Sequence, residues 1–191
     1  MTIGVLALQG AFRAHVRVLE GLGADATEVR TVDQLDAVDG LVMPGGESTT
    51  MSMLLESSGL FDAVATRLDD GMPVLGTCAG LILLASDIED GRADQRSFSR
   101  LDLTVQRNGY GRQAESFEAD LDTVGFEDPV HAVFIRAPRV VQTGDSVEVL
   151  AHDPHGAPAL VRSGNAVGAS FHPELSDDSR IHQLFLESVA Y

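Results

Sequence analysis

One cysteine, one histidine and one glutamate have the types and the spacing needed for covalent catalysis. Cys78 lies in residues 76–80, Gly-Thr-Cys-Ala-Gly, between a short apolar run and an apolar, Ala-rich segment. This pattern is typical of a sharp strand-to-helix turn that presents a nucleophile, with cysteine in place of serine. Glycines suit such a turn because backbones pass closely there. On the turn alone, a nucleophile and an inert buried cysteine are equally good interpretations.

His172 ends a second apolar run and is followed by Pro173, which favours an extended conformation for the histidine. Side chains alternate in direction along extended chain, so Glu174 can return to the side of His172. A histidine and a carboxylate at this spacing suit a general base and the group that orients it. The alternative is a solvent-facing histidine at the end of a strand.

A glycine-rich loop follows a third apolar run, in residues 44–51, Pro-Gly-Gly-Glu-Ser-Thr-Thr-Met. Gly45 and Gly46 expose backbone N–H groups where open α/β sheets place their ligands, and Ser48 or Thr49 can cap the helix that follows. A phosphate loop is disfavoured because Gly-Lys-Ser/Thr is absent. An oxyanion hole and a plain glycine turn with a helix cap both remain possible interpretations.

Apolar runs of strand length alternate with segments of helical periodicity. Residues 3–8 and 41–43 are typical of strands buried on both faces, and apolar residues recur at helical spacing between them, at Phe12, Val16 and Leu19. Short connections between such elements predict an α/β fold, a three-layer sandwich in which a mostly parallel central sheet is flanked by helices. The length favours a single domain over residues 1–191.

The second half of the chain predicts further strands and a closing helix. We expect a surface loop at 87–100, strands at 101–105 and 130–135, an antiparallel pair at 147–150 and 159–161, and a helix at 177–190. Arg107 and Arg136 lie in polar loops and could bind a carboxylate bidentately, or could be solvated surface arginines. His152 and His155 lie in the turn of the expected antiparallel pair and have no further ligand cluster beside them, so a metal site is not expected there. No cofactor is expected.

The carboxyl ends of parallel strands lie along one edge of a sheet, so Gly46, Cys78 and His172 are predicted to meet there. His172 would take the proton of Cys78, and Glu174 would fix the histidine tautomer. The backbone N–H groups of Gly46 and Ala79 would form an oxyanion hole. The predicted reaction is acyl transfer through a thioester, ending in hydrolysis.

The charge balance is strongly acidic: 29 acidic residues oppose 13 basic ones, all arginine, for a net charge of −16. This charge disfavours binding to nucleic acid or to an anionic membrane. The single cysteine excludes an internal disulfide, and no apolar run of membrane-spanning length occurs, so a cytoplasmic protein is expected. We interpret the acidic composition as a hydrated surface suited to high salt, which screens self-repulsion.

Two of these motifs resemble a known family. Residues 76–80 together with 171–175, Phe-His-Pro-Glu-Leu, resemble the class I, triad-type glutamine amidotransferases. Within that group, four further segments resemble the glutaminase subunit of pyridoxal 5'-phosphate synthase: Gly-Val-Leu-Ala-Leu-Gln-Gly-Ala-Phe at 4–12, Met-Pro-Gly-Gly-Glu-Ser-Thr-Thr at 43–50, Arg-Asn-Gly-Tyr-Gly-Arg-Gln at 107–113 and Phe-Ile-Arg-Ala-Pro at 134–138. The resemblance spans residues 3–175 in the family's order.

The resemblance implies hydrolysis of L-glutamine to glutamate, with ammonia passed to a synthase subunit that builds pyridoxal phosphate from a pentose phosphate and a triose phosphate. It implies a triad of Cys78, His172 and Glu174. It also implies a glutamine site made of Gly46, Glu47, Ser48, Arg107, Ile135 and Arg136.

The same resemblance implies dependence on the partner. The family is usually active only with its synthase, and the Gly45-Gly46 peptide adjusts on docking to complete the oxyanion hole. The implied assembly is twelve glutaminases around a twelve-subunit synthase core. One departure is Gly109-Tyr110, where the family more often has Ala or Ser and then Phe, beside the implied glutamine site.

Two alternatives stay open from sequence. One is the glutaminase partner of another biosynthetic synthase, such as imidazole glycerol phosphate synthase, against which the segment 107–113 argues. The other is a DJ-1-like cysteine sensor or chaperone. Such proteins place an acidic residue near the cysteine from an early strand, and the early strand of this chain has none.

Overall fold

The computed structural model describes residues 1–92, 94–107, 109 and 116–190. Its helices, in chain order, are α1 Phe12–Gly21, α2 Val32–Asp36, α3 Ser48–Ser57, α4 Leu60–Asp69, α5 Ala79–Leu84 and α6 Arg180–Val189, with a 3-10 turn at Pro173–Leu175. Its strands are β1 Thr2–Leu6, β2 Asp25–Val29, β3 Gly40–Met43, β4 Val74–Thr77, β5 Ala85–Ile88, β6 Leu101–Gln106, β7 Ser116–Leu121, β8 Val130–Ile135, β9 Arg139–Thr143, β10 Glu148–His152, β11 Pro158–Ser163 and β12 Ala166–Ala169.

A seven-stranded sheet forms the centre, in the order β10-β11-β12-β4-β3-β1-β2. The strands from β12 to β2 are parallel, and β11 and β10 extend the sheet as antiparallel strands at one edge. Two small sheets, β5-β6-β9 and β7-β8, lie outside it. The predicted α/β fold with a mostly parallel central sheet is therefore confirmed.

The central sheet is buried on both faces. Along β4, Val74 packs into one core cluster with α3, α4 and α5, while Leu75 packs into the other with α1, α6 and the β7-β8 hairpin. This alternation follows from the two-residue period of a strand. It also explains why the central strands are continuous apolar runs, since both of their faces meet other elements.

Several elements differ from the sequence prediction. Helix α2 and strands β5, β7 and β9 were not predicted, and β5 occupies the start of the expected 87–100 loop. The closing helix begins at Arg180 rather than at 177. The predicted caps of α3 are wrong: Ser48 is already helical, and Glu47 caps the helix by accepting the backbone N–H groups of Thr49 and Thr50.

Within the ranges just given, no helix has both the length and the apolar character that crossing a membrane requires.

Candidate active site

Cys78 occupies a strained turn between β4 and α5. Its φ of 50° and ψ of −104° lie in a region that residues with a side chain rarely adopt. A Cβ on Gly76 would lie 2.7 Å from the carbonyl carbon of Gly80, and a Cβ on Gly80 would overlap the carbonyl oxygen of Met43. Both glycines of the Gly-x-Cys-x-Gly pattern are thus required by packing, and the turn presents Cys78 at the start of α5.

Strand pairing brings the distant histidine beside this turn. Strands β4 and β12 are parallel neighbours, with Ala169 opposite Thr77, and the N–H of Cys78 donates to the carbonyl of Ala169 at 2.8 Å. His172 follows three residues later, and its own N–H donates to the carbonyl of Val133 in β8 at 2.8 Å. The predicted meeting of Cys78 and His172 follows from these backbone contacts.

His172 and Glu174 form a buried pair. They are 8% and 6% exposed, and Nδ1 of His172 donates to Oε1 of Glu174 at 2.7 Å. The predicted pairing is found, but its expected cause is wrong: Glu174 lies in the 3-10 turn Pro173–Leu175, not in extended chain. The turn, rather than strand alternation, swings the carboxylate back to the histidine.

The surroundings of His172 favour its protonated form. Burial opposes the charge, but hydrogen bonds to Cys78 and Glu174 outweigh it and raise the pKa of His172 to about 10. Burial likewise opposes the charge of Glu174, yet the His172 hydrogen bond keeps the pKa of this carboxyl below its usual value. Because Nδ1 donates to the carboxylate, Nε2 is the ring nitrogen left for Cys78. The arrangement suits transfer of the cysteine proton to His172.

The Gly45-Gly46 loop lies directly against both side chains. A Cβ on Gly45 would overlap the ring of His172 and would lie 3.3 Å from Cβ of Cys78. The loop is held by the segment after β1: the N–H of Ala11 donates to the carbonyl of Gly45 at 3.3 Å, and Oε1 of Gln9 accepts the N–H of Glu47 at 2.8 Å.

One pocket of about 320 Å³ joins these features. It is lined by Cys78, His172 and all six residues of the predicted glutamine site, namely Gly46, Glu47, Ser48, Arg107, Ile135 and Arg136. Glu174 is absent from the lining because it is buried behind His172, and Ala79 is buried at the start of α5. Sequence reasoning missed four other lining residues, Gly10, Ala11, Ile82 and Leu175. In the sequence, these residues were indicated only by the glycine that follows β1 and by the position of Leu175 beside Glu174.

The two arginines at the pocket differ in their engagement. Nη2 of Arg107 donates to Oε1 of Glu47 at 2.8 Å. Burial works against the charge of Glu47, but hydrogen bonds from Thr50 and Thr49 lower its pKa to about 2. Arg136 is exposed and has a φ of 44°, a positive value that is uncommon outside glycine. Strain of this kind tends to mark functional loops.

Part of the predicted site segment lies outside the described residues. Residue 108 and residues 110–113 of the segment 107–113 are not described, and neither are residues 114 and 115. The departure at Tyr110 is therefore outside the described residues. Gly109 is described, and a Cβ there would overlap Cβ of Arg139. The family's more frequent Ala or Ser at this position would therefore require Arg139 to move.

These features define a class: an α/β protein with a cysteine at a strand-to-helix turn beside a buried histidine–carboxylate pair. Comparison with known proteins narrows the class. The chain belongs to the SNO glutamine amidotransferase family, whose model matches residues 5–191. The resemblance to glutamine amidotransferases is confirmed.

Relatives and solved structures agree with this assignment. The "Pyridoxal 5'-phosphate synthase subunit PdxT" of Corynebacterium jeikeium is 53% identical, with 99% of this chain and 97% of the relative covered. Its counterpart in Mycobacteroides abscessus is 54% identical, with 98% and 96% covered. A crystal structure of a glutamine amidotransferase matches with 46% identity and a TM-score of 0.92 over 99% of both chains. PurLQS from Thermotoga maritima, at 17% identity and a TM-score of 0.69 over 97% of both chains, shares the fold.

Proposed function

We propose that this chain is the glutaminase subunit of a pyridoxal 5'-phosphate synthase. It hydrolyses L-glutamine to glutamate and ammonia, and the ammonia passes to a separate synthase subunit. The observation that carries the chemistry is the placement of Cys78 and His172 at one pocket, with Glu174 hydrogen-bonded to His172 behind it. The pathway rests on the names of relatives that are more than half identical over nearly the whole chain.

In the proposed reaction, the sulfur of Cys78 attacks the side-chain amide carbon of glutamine after its proton has passed to Nε2 of His172. The N–H groups of Gly46 and Ala79 stabilise the oxyanion, each contributing about 2.7–4 kcal/mol. His172 then gives its proton to the departing nitrogen, which leaves as ammonia, and a thioester remains. Water, deprotonated by His172, attacks the thioester and releases glutamate and the cysteine. Glu174 holds the tautomer that both transfers need.

Charged groups around the pocket suit the two ends of the amino acid. Glutamine carries an α-carboxylate and an α-ammonium group. Arg107 and Arg136 present guanidinium groups for the first, and Glu47, whose pKa of about 2 keeps it ionised, attracts the second. Ser48 and Ile135 complete the proposed glutamine site, Ile135 with apolar surface.

The remaining parts of the proposal concern the assembly. We assign one glutaminase domain to residues 1–191, without a cofactor or metal. The partner is the synthase subunit, in a complex of twelve glutaminases around twelve synthase subunits. The enzyme works in the cytoplasm, where a reducing environment keeps a nucleophilic thiol free. Family membership favours this enzyme over a cysteine sensor.

Ammonia release tests the proposal. Wild type and Cys78→Ala are each incubated with glutamine in molar KCl, with and without the synthase subunit of the same organism. We expect release only from wild type with the synthase, because the nucleophile and the docked partner are both needed. Ammonia release that is the same with and without the synthase would support the glutaminase activity but overturn the assigned pathway. No release from folded wild type in any mixture would overturn the enzyme.

A further inference from the structure

Two buried histidines lie behind the triad and extend its hydrogen-bonded chain into the core. His15 of α1 and His182 of α6 are both fully buried, and Nδ1 of His15 lies 2.8 Å from Nε2 of His182. Nε2 of His15 lies 3.4 Å from Oε2 of Glu174 and 3.3 Å from Oγ1 of Thr77. Each carboxylate oxygen of Glu174 thus faces a different histidine: Oε1 faces His172 and Oε2 faces His15.

The geometry assigns the protons on this pair. Glu174 accepts only, so Nε2 of His15 must carry hydrogen if its contact with Oε2 is to be attractive. Nδ1 of His15 is then an acceptor, and Nε2 of His182 is its donor. The remaining ring nitrogen is Nδ1 of His182, which then carries a lone pair and no hydrogen. It has no hydrogen-bond partner among the described residues. The opposite tautomers would aim a lone pair at the carboxylate and bury an unpaired N–H, which is the costlier arrangement.

Both histidines are held neutral. Burial, offset in part by Glu174 and reinforced by His172, lowers the pKa of His15 to about 4. Burial and the neighbouring His15 lower the pKa of His182 to about 3, against the opposing effect of Glu174. Neither histidine can therefore take the proton that belongs to His172, whose pKa is about 10. They can only orient and donate.

Glu174 needs such a donor. Its Oε2 is buried and forms no well-aligned hydrogen bond with any residue the structure describes. Nε2 of His15 lies 3.4 Å from this oxygen, in a close electrostatic contact that is not a hydrogen bond, and the same nitrogen also contacts Oγ1 of Thr77 at 3.3 Å. A buried carboxylate without a donor is driven toward its neutral form. A neutral Glu174 would in turn stop favouring the proton on His172.

We propose that His15, fixed by His182 and Thr77, is a positioning residue that keeps Glu174 ionised and aimed at His172. The inference rests on the proposed glutaminase function only for its kinetic readout. The reactivity of Cys78 provides a second readout, since Cys78 is the single cysteine and its rate of alkylation by iodoacetamide follows the charge state of the Cys78–His172 pair.

Three variants separate positioning from packing. His15→Leu removes the donor, His15→Gln restores an amide N–H near the position of Nε2, and Leu19→Ala opens a cavity on the same helix without touching Glu174. We expect His15→Leu to lower kcat about 10- to 100-fold, with KM changed far less, because a buried charged group loses its nearby donor. The alkaline transition in the alkylation profile should fall by about one pH unit. His15→Gln should recover most of both, and Leu19→Ala should change neither.

The outcomes are distinct. An unchanged alkaline transition and kcat in folded His15→Leu would overturn the proposal, as would a His15→Gln variant no better than His15→Leu. If wild type showed no glutaminase activity, the proposed function would be overturned. The shift of the alkylation profile would still test the role of His15. Long-range ¹H–¹⁵N spectra of wild type need no variant at all. We expect hydrogen on Nε2 of His15, and hydrogen on Nδ1 would contradict the assignment.

Discussion

Two glycine turns at the ends of neighbouring strands are held in different ways. The Cys78 turn after β4 is fixed from within, because Gly76 and Gly80 pack against each other and against Met43 of β3. The Gly45-Gly46 loop after β3 is fixed from outside, by two hydrogen bonds from the segment between β1 and α1. The first arrangement depends on close backbone contact, and the second on bonds that contribute about 1 kcal/mol each.

The difference separates the proposed nucleophile, Cys78, from the proposed oxyanion donor, the N–H of Gly46. The Cys78 turn packs directly against β3 of the central sheet, whereas the hydrogen bonds of the loop run to the segment around Gly10. The N–H of Gly46 points opposite to the carbonyl of Gly45 across a trans peptide, so a contact on that carbonyl also sets the proposed oxyanion donor. In the proposed complex, a partner that moved this segment would reorient the proposed oxyanion donor and leave the Cys78 turn in place.

The largest effect should come from Gly80→Ala. The added Cβ would overlap the carbonyl oxygen of Met43, so we expect the protein to lose about 3 kcal/mol or more of stability, and its ammonia release with it. Thermal unfolding and activity with the synthase measure both. Gly21→Ala is the matched control, because nothing lies within 4 Å of that position. A Gly80→Ala protein as stable and active as Gly21→Ala would show that the turn is not fixed by packing.

An intermediate effect is expected from Gly10→Ala. Gly10 has a φ of 96°, and a Cβ there would overlap the carbonyl oxygen of Gly45. We expect a loss of about 1–2 kcal/mol of stability from the backbone conformation, and a strong loss of synthase-stimulated activity.

The control for Gly10→Ala is Gly23→Ala, which has a φ of 82° and open space around it. It should share the part of the stability loss that comes from the backbone conformation, and keep the activity. Alkylation of Cys78 should be normal in both variants. A normal rate of ammonia release in Gly10→Ala would remove the distinction between the two turns.

The smallest effect concerns pH. The charge of Glu47 on the loop side is lost only near pH 2, while the proton of His172 on the turn side is lost near pH 10. Folding raises the pKa of His172, so the protonated histidine stabilises the folded protein. This contribution to stability is complete below about pH 6.5 and is lost as the pH rises through about 10. The alkaline limit of kcat/KM should therefore belong to the turn side.

Matched glutamine variants check this assignment. Glu174→Gln replaces a charged acceptor of the His172 hydrogen bond by a neutral one and removes a charge that raises the pKa of His172, so the alkaline limit should move down by about one unit. Glu47→Gln should leave the alkaline limit in place. The reverse pattern in a pH profile of kcat/KM would assign the limit to the loop.

What the sequence predicts well here is what local pattern encodes. The Gly-x-Cys-x-Gly turn and the Gly-Gly loop each depend on steric limits within a few residues, and apolar runs reveal the parallel strands. The cap of α3 was mispredicted because Ser48 and Thr49 are better intrinsic caps than Glu47, whose longer side chain nevertheless reaches two N–H groups.

Contacts between distant elements left no such signal. His15 and His182 are far apart in the chain and lie on different helices, and each alone resembles an ordinary residue on a helix. Strands β7 and β9 belong to the two small sheets outside the central sheet, and polar residues interrupt their apolar pattern. Their existence depends on partners that the local sequence does not encode.

The ladder between β4 and β12 has a consequence for how such enzymes diversify. Cys78 ends one strand and His172 follows the other, yet nearly half of the chain departs and returns between them. Hairpins in that excursion can lengthen, change charge or acquire a fused segment while the two neighbouring strands keep their register. Natural selection, or an engineer, can therefore alter this half of the chain while Cys78 and His172 stay side by side.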